Sequence, residues 1–327
     1  MGTVHDLGEV ALIERFTRRL GTTRLRDHRG KRWRVQVAIG DDAAVLHGPA
    51  GARFLFASDM LVEGVHFRLP APRLPAPRRQ RQAGRRTVPP RWIGWKALAC
   101  NVSDIAAMGG LPLAAVVSLG IPPKTPIRFV DELYHGLASC AHRFNCPVVG
   151  GDTVRSPRVV IDVAILGTVE SRHLTLRSGA RVGDAVFVTG RLGGSLRSGR
   201  HARCTPRLRE AQELVRRVKV HAMMDLSDGL ASDLWQMSRA SRVVLRVRRA
   251  AIPVSLVAGS IEHALMDGED FELLFTVAQR DAPRVPRRLG ACPVTLIGQV
   301  VSHGVRVEQE DTKGWIRPLV PIGFKHF

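Results

Sequence analysis

Six aspartates sit in short polar breaks within apolar or glycine-rich sequence. They are Asp42 in "IGDDAAVL", Asp59 in "FASDML", Asp104 in "CNVSDIAAMGG", Asp152 in "VVGGDTV", and Asp225 and Asp228 in "MDLSDGLASDL". An unpaired carboxylate in such surroundings is costly, so these groups are paired, hydrated or holding a cation. Taken singly, each acid could cap a helix or a turn, where Asp is favoured. Recurring together in similar contexts, they point to a shared ion. Carboxylates without His or Cys partners suit a hard, oxygen-seeking cation, above all Mg²⁺. Mg²⁺ held by a few carboxylates completes its shell with substrate phosphates, and more than one such ion can neutralise a transferring phosphoryl group. The chemistry indicated is phosphoryl transfer.

The elements that must position these acids are legible from periodicity. "GEVALIERFTRRL" carries apolar residues at helical spacing, and "VQVAIG" and "ARFLFASDM" read as strands ending in Asp41-Asp42 and Asp59. "WIGWKALACNVSDIAAMG" predicts a helix stopped by Gly109-Gly110. "PLAAVVSLGIP", "CPVVGGDTV" and "RVVIDVAILGTV" read as strands, and "IRFVDELYHGLASCAHRF" as a helix. In the second half "DAVFVTG" is a strand and "TPRLREAQELVRRV" a helix with Pro206 at an early helical position. "VHAMMDLSDGLASDLWQMSRA" is a strand running into Asp225 and then a helix, followed by "RVVLRV", "DGEDFELLFTV", an Arg-rich helix and "VTLIGQVV". Alternating strands and helices define an α/β protein. The regular pattern breaks near Glu170 to Gly179, dividing the chain into a 1–170 unit and a 171–327 unit. The segment from Leu69 to Arg91, with its tandem "LPAPR", predicts a loop or disordered insertion.

Bulk properties narrow the class. The 327 residues are 45% hydrophobic, and no apolar run approaches the ~20 residues of a membrane span, so no membrane partner is expected. The N-terminus has early acids and no apolar core of a secretory signal. Five cysteines form no CxxC pair, which favours a reduced, cytoplasmic protein over a zinc site. The net charge of +20 is spread over several Arg-rich stretches with little aromatic interleaving, so it reads as solvated surface charge. Nucleic acid is not the expected partner. There is no GxxxxGK[ST] and no GxGxxG after a strand, and "LRDHRG" lacks the downstream Asn of a kinase catalytic loop. A nucleotide here has to be held by metals and backbone amides.

Seven segments in order ("IGDDAAVL", "SDMLVEGVHF", "GWKALACNVSDIAAMGGLPLAAVVSLGIP", "GGDTVRS", "LRSGARVGDAVFVTG", "MDLSDGLASDL" and "GEDFELLFTV") resemble the thiamine-monophosphate kinase family, within the aminoimidazole-ribonucleotide synthase-like superfamily. The resemblance runs from about Gly8 to the terminal "IGFKHF" and omits the Pro/Arg segment. It implies two mixed α/β domains (an α+β two-domain chain) and ATP-dependent phosphorylation of thiamine monophosphate to thiamine diphosphate by direct transfer. It also implies several Mg²⁺ ions and a homodimer. Carried over by motif, Asp42, Ser58, Asp59, Asp104, Asp152, Asp225 and Asp228 resemble metal ligands, with Asp104 and Asp228 catalytic. Asp152, Arg177 and Ser227 resemble ATP contacts, and His66, Glu269 and Phe324 substrate contacts. Asp41 reads as a turn residue or a support for Asp42.

Two departures from the family pattern stand out. Ala57 occupies a position where the family usually has Ser or Thr, so one side-chain oxygen is missing. Asp267 replaces the first Gly of the family's "GGEDYEL"; Asp tolerates a left-handed backbone better than most residues but adds charge beside Glu269. Rival readings fare worse. A hydrogenase-maturation protein would end in Cys, and a selenophosphate synthetase would carry a reactive Cys or selenocysteine near its start; here the end is "FKHF" and the first Cys is Cys100. A basic nucleic-acid-binding protein on an inactive kinase scaffold is the alternative from another class, and the intact acids argue against it.

Overall fold

The structure, a computed structural model, describes residues 6, 11–15, 34–48, 51–69, 87–321 and 323. Residues 11–15 are helical, as the N-terminal periodicity predicts. The first half builds a six-stranded sheet from β1 (Arg34–Val37), β2 (Ala44–His47), β3 (Arg53–Val62), β4 (Leu111–Ile121), β5 (Val148–Arg155) and β6 (Val160–Thr168), in the order β1-β2-β3-β6-β4-β5. Only the β4–β5 pairing is parallel. Along β3 the side chains alternate: Leu55, Ala57, Asp59 and Leu61 turn inward, while Phe56, Ser58 and Met60 turn outward.

Two helices cover the inner face, α1 (Pro90–Ala107) and α2 (Ile127–Phe144). α1 begins inside the segment expected to be loop: Pro90 and Arg91 are helical, and Pro suits the first turn because its missing N–H would go unpaired there anyway. Residues 70–86 of that segment lie outside the described residues. The helices approach closely because each supplies a glycine at the crossing. A Cβ on Gly94 would lie 1.9 Å from the Leu133 carbonyl oxygen, and one on Gly136 would lie 1.8 Å from that of Arg91.

The second half forms another sheet from β7 (Asp184–Thr189), β8 (Val220–Asp225), β9 (Val243–Arg248), β10 (Leu273–Ala278), β11 (Arg288–Leu289), β12 (Cys292–His303), β13 (Arg306–Glu310) and β14 (Ile316–Pro318). Its order is β14-β13-β9-β12-β7-β10-β8, with β11 beside β12. The helices here are α3 (Ser195–Ser198), α4 (Leu208–Arg217), α5 (Leu230–Ser241) and α6 (Ile261–Met266). α4 starts after Arg207, so Pro206 precedes the helix rather than opening it. The Arg-rich stretch after β10 is a 3₁₀ turn, Gln279–Arg284, because Pro283 inside it supplies no N–H for a longer helix.

The two sheets share a core. Residues of α1 and the first sheet pack in one cluster with Phe187, Met223 and Phe275 of the second; Phe187 and Phe275 stack with ring centroids 5.3 Å apart. A second cluster fills the far face of the second sheet under α5 and α6. α1 is therefore buried on nearly every side, which explains why it is apolar all round rather than striped. This placement sets the acid on α1 at the junction of both halves. All five cysteines are free and buried. Among the described residues, no helix is long and apolar enough to cross a membrane.

Candidate active site

Three carboxylates from three separate segments meet at that junction. Asp42 follows β1 in a turn, Asp104 lies in the last turn of α1, and Asp225 ends β8; one oxygen from each lies within 4.8 Å of the others. Asp225 is fixed by the Ser103 hydroxyl, which donates to its Oδ2 at 2.5 Å. Asp42 is fixed by Arg177, whose Nε and Nη2 donate to Oδ1 at 3.0 and 2.5 Å. The Oδ2 of Asp42 is buried and accepts no hydrogen bond from the described residues. A buried oxygen left open in this way fits a cation.

Asp41 turns away from the group. It accepts the Asp42 N–H at 3.0 Å and the Arg177 N–H at 3.1 Å, tying the turn to the segment before β7. Arg177 continues the chain of bonds: Nη1 donates to Gln236 Oε1 at 2.7 Å. The Gln236 amide then donates to Asp228 Oδ2 at 3.0 Å and to Asp233 Oδ1 at 3.3 Å. One α5 side chain therefore links the Arg177–Asp42 pair to Asp228.

The electrostatics follow from burial. Desolvation, reinforced by the Asp42 charge, pushes Asp225 up to about 8. Desolvation also lifts Asp59 to about 6, against the opposing pull of Lys96, and Asp41 to about 7 with help from Asp42. Asp104 and Asp42 are raised by desolvation as well; for Asp104 the neighbouring acids add to it, whereas for Asp42 the Arg177 guanidinium pulls back. These acids cannot all ionise together without added positive charge.

The remaining predicted residues divide. Ser58 lies on the outer face of β3, where its hydroxyl donates to Asp162 Oδ1 at 2.8 Å. Asp152 is exposed on β5, in register with Ser118 of β4 and through it with Asp162. The structure thus does not bring Ser58 and Asp152 to the three-acid group. Ala57 shares the inner face with Asp59, so the missing oxygen is lost from that side. His66 accepts the Val62 N–H at 3.0 Å in the turn closing β3. Phe324 lies outside the described residues.

Ser227 and Glu269 come together through the backbone, the Glu269 N–H donating to the Ser227 carbonyl at 2.7 Å. Glu269 and Phe271 hold left-handed φ values of 62° and 51°. They are held there because Arg200 pairs with Asp270, and Arg207 pairs with Glu272 at 2.5 Å. Asp267 is not left-handed, contrary to expectation; its φ is −66°. Its carboxylate turns from Glu269 to the Gly194 N–H at 2.8 Å and to His263 Nδ1 at 3.1 Å.

Four residues near the site carry no sequence-level assignment. Lys96 pairs with Glu269, Gln236 and Asp233 brace Asp228, and Asp162 faces Ser58. Lys96 had a signal: it precedes Asp104 by eight residues in a helix and interrupts an apolar run.

The chain matches two family descriptions, AIR synthase related protein, N-terminal domain, over residues 40–169 and AIR synthase related protein, C-terminal domain, over residues 194–309. The thiamine-monophosphate kinase of Rhodopirellula baltica is 37% identical, covering 89% of this chain and 92% of the relative. This chain belongs to the thiamine-monophosphate kinase family. The Synechococcus elongatus member is 33% identical over 88% of this chain and 91% of its own. The solved complex of AaThiL with AMPPCP and TMP superposes with a TM-score of 0.79 at 30% identity, covering 100% of this chain and 99% of that one. The family assignment agrees with the two mixed α/β halves read from the sequence.

Proposed function

We propose that this protein transfers the γ-phosphoryl group of ATP to the phosphate of thiamine monophosphate, giving thiamine diphosphate and ADP. The observation that carries the reading is the meeting of Asp42, Asp104 and Asp225 within 4.8 Å in a member of this family. In the transfer, an oxygen of the acceptor phosphate bonds to the γ-phosphorus as its bond to the bridging oxygen breaks. The electron pair leaves with ADP. Asp42, Asp59, Asp104, Asp225 and Asp228 are the residues that would hold Mg²⁺, and the open Oδ2 of Asp42 supports that fit. Bound there, the ions would neutralise the phosphates during transfer.

The chain's own contribution is positioning. Arg177 orients Asp42 and Ser103 orients Asp225, while burial of α1 keeps the junction rigid and restricts water. We assign Asp104 and Asp228 to the metals that face the transferring group, Arg177 and Ser227 to the nucleotide, and His66, Glu269 and Phe324 to the thiamine substrate. Asp152 and Ser58, on the outer face, would take a further metal only beside Asp162. We propose functional units at 1–170 and 171–327 and a cytoplasmic location for the protein.

A homodimer is part of the proposal. The outer face of the first sheet leaves Phe56, Met60, Val116 and Val154 uncovered, each at least 40% exposed, and a second copy is the occupant that would cover them. Sedimentation equilibrium giving twice the chain mass supports it, and a monomer rejects it. The intact acids favour catalysis over the nucleic-acid-binding alternative. The functional test is ADP release with purified protein, ATP and Mg²⁺. Release that depends on thiamine monophosphate is the expected result; a folded protein releasing none refutes the assignment.

A further inference from the structure

Lys96 is the one lysine in the buried set among the described residues, with its side chain 3% exposed. It lies on α1, with Cys100 and Asp104 following at steps of four, so the three share one helix face. Eight residues of helix place it about 12 Å from Asp104. Its ammonium pairs across the junction with Glu269, which is 23% exposed. Asp59 is near enough to feel the Lys96 charge, and His201 and the thiols of Cys100 and Cys204 also interact with it. Lys96 therefore interacts both with an acid of the candidate metal group and with the loop assigned to the thiamine substrate.

We propose that the Lys96 ammonium binds the phosphate of the acceptor, releasing or sharing its contact with Glu269 when that phosphate arrives. The inference rests on the kinase reading above. A phosphomonoester carries roughly −1.5 to −2 charge near neutral pH. It must approach a junction already crowded with Asp42, Asp59, Asp104, Asp225 and Asp228. Of the two cations set beside those acids among the described residues, Arg177 is committed to Asp42 and Gln236. Lys96 has Glu269 as its only hydrogen-bond partner among the described residues, and an ammonium offers three donors. The geometry is rigid on the lysine side, where the Gly94–Gly136 crossing locks α1 against α2. On the Glu269 side a partly exposed loop provides the carboxylate. An incoming anion would therefore find a fixed cation whose present partner can yield.

The test is calorimetric binding of thiamine monophosphate and of unphosphorylated thiamine, with AMPPCP and Mg²⁺ present, to the parent and to Lys96→Met. The parent should prefer the monophosphate. Lys96→Met should lose about a hundredfold in monophosphate affinity, as for a lost charge-assisted contact, while thiamine affinity stays within about threefold. Lys96→Arg, which keeps the charge, should retain most of the preference and serves as the readout if the Met variant does not fold. Equal weakening of both ligands, or no change in either, makes Lys96 a strut between the two halves and overturns the proposal. A parent that turns over thiamine monophosphate yet binds thiamine equally well overturns it without any variant. A parent that makes no thiamine diphosphate fails the kinase reading instead.

Discussion

Replacing Asp225 with Asn should make the metal-free protein more stable and the enzyme nearly inactive. Asp225 titrates near 8 in the folded protein against 3.8 for an ordinary aspartate. Between those values the folded state keeps a proton that the unfolded state has lost, so stability falls as pH rises through that window. The span of about 4 units at about 1.36 kcal/mol each bounds the cost at about 6 kcal/mol by pH 8. Asp42, Asp59 and Asp104 act electrostatically on the same group of acids, so one substitution should recover only part of this, on the order of 3 kcal/mol. Asn keeps an oxygen for the Ser103 hydroxyl, so little else is lost. At about 1.5 °C per kcal/mol for a chain of 327 residues, the variant in EDTA should melt roughly 4–5 °C above the parent at pH 8, and no higher at pH 4. Added Mg²⁺ should raise the parent's melting temperature more at pH 8 than at pH 5 and raise the variant's much less. Turnover should fall by at least about a hundredfold, since positioned charge supplies much of phosphoryl-transfer catalysis. The assays are differential scanning calorimetry across pH and a coupled ADP assay. A variant that melts no higher than the parent at pH 8 in EDTA and still turns over refutes the reasoning.

Three further outcomes are expected. Gln236→Leu breaks the link between Arg177 and Asp228, so KM for ATP should rise roughly tenfold with the melting temperature nearly unchanged; an unchanged KM would reduce Gln236 to packing. Deleting Ala71 to Arg86 should leave kinase activity within about twofold, because the Val88 N–H already donates to the Arg68 carbonyl at 3.1 Å and closes the base of the insertion; a large, salt-sensitive rise in KM would instead make its arginines part of substrate capture. Asp267→Gly removes the acceptor for the Gly194 N–H and should lower the melting temperature by a few degrees, with thermal denaturation as the check and an unchanged value as the contrary result.

Much of this was readable from residue order. The periodicity of "IRFVDELYHGLASCAHRF" matches α2, and the strand patterns match β3, β4, β6 and β8. β2, four residues long, was too short to show a period, and Pro90 concealed the start of α1 in Pro-rich sequence. Acid identity pointed to a cation, but separation in space was invisible: Asp59 and Ser58 are adjacent in sequence yet face opposite sides of β3, because strand side chains alternate. The roles of Lys96 and Gln236 are hidden in the sequence for a related reason, although the position of Lys96 in an apolar helix is visible there. Their partners, Glu269 and Arg177, are far away in the chain and reach them only through the shared core. Nothing in the residue order marks Glu269, two residues after Asp267, as the left-handed position: Asp267 is extended, and glutamate is not a residue that favours that conformation.

The central claim is direct transfer to a phosphate acceptor. Incubating the purified protein with [γ-³²P]ATP, Mg²⁺ and thiamine monophosphate tests it most directly, with the label followed by chromatography. The account predicts label in the terminal phosphate of thiamine diphosphate, in one-to-one ratio with ADP, and none in inorganic phosphate beyond the blank. Label released only as inorganic phosphate, or no thiamine diphosphate from folded protein, would contradict it.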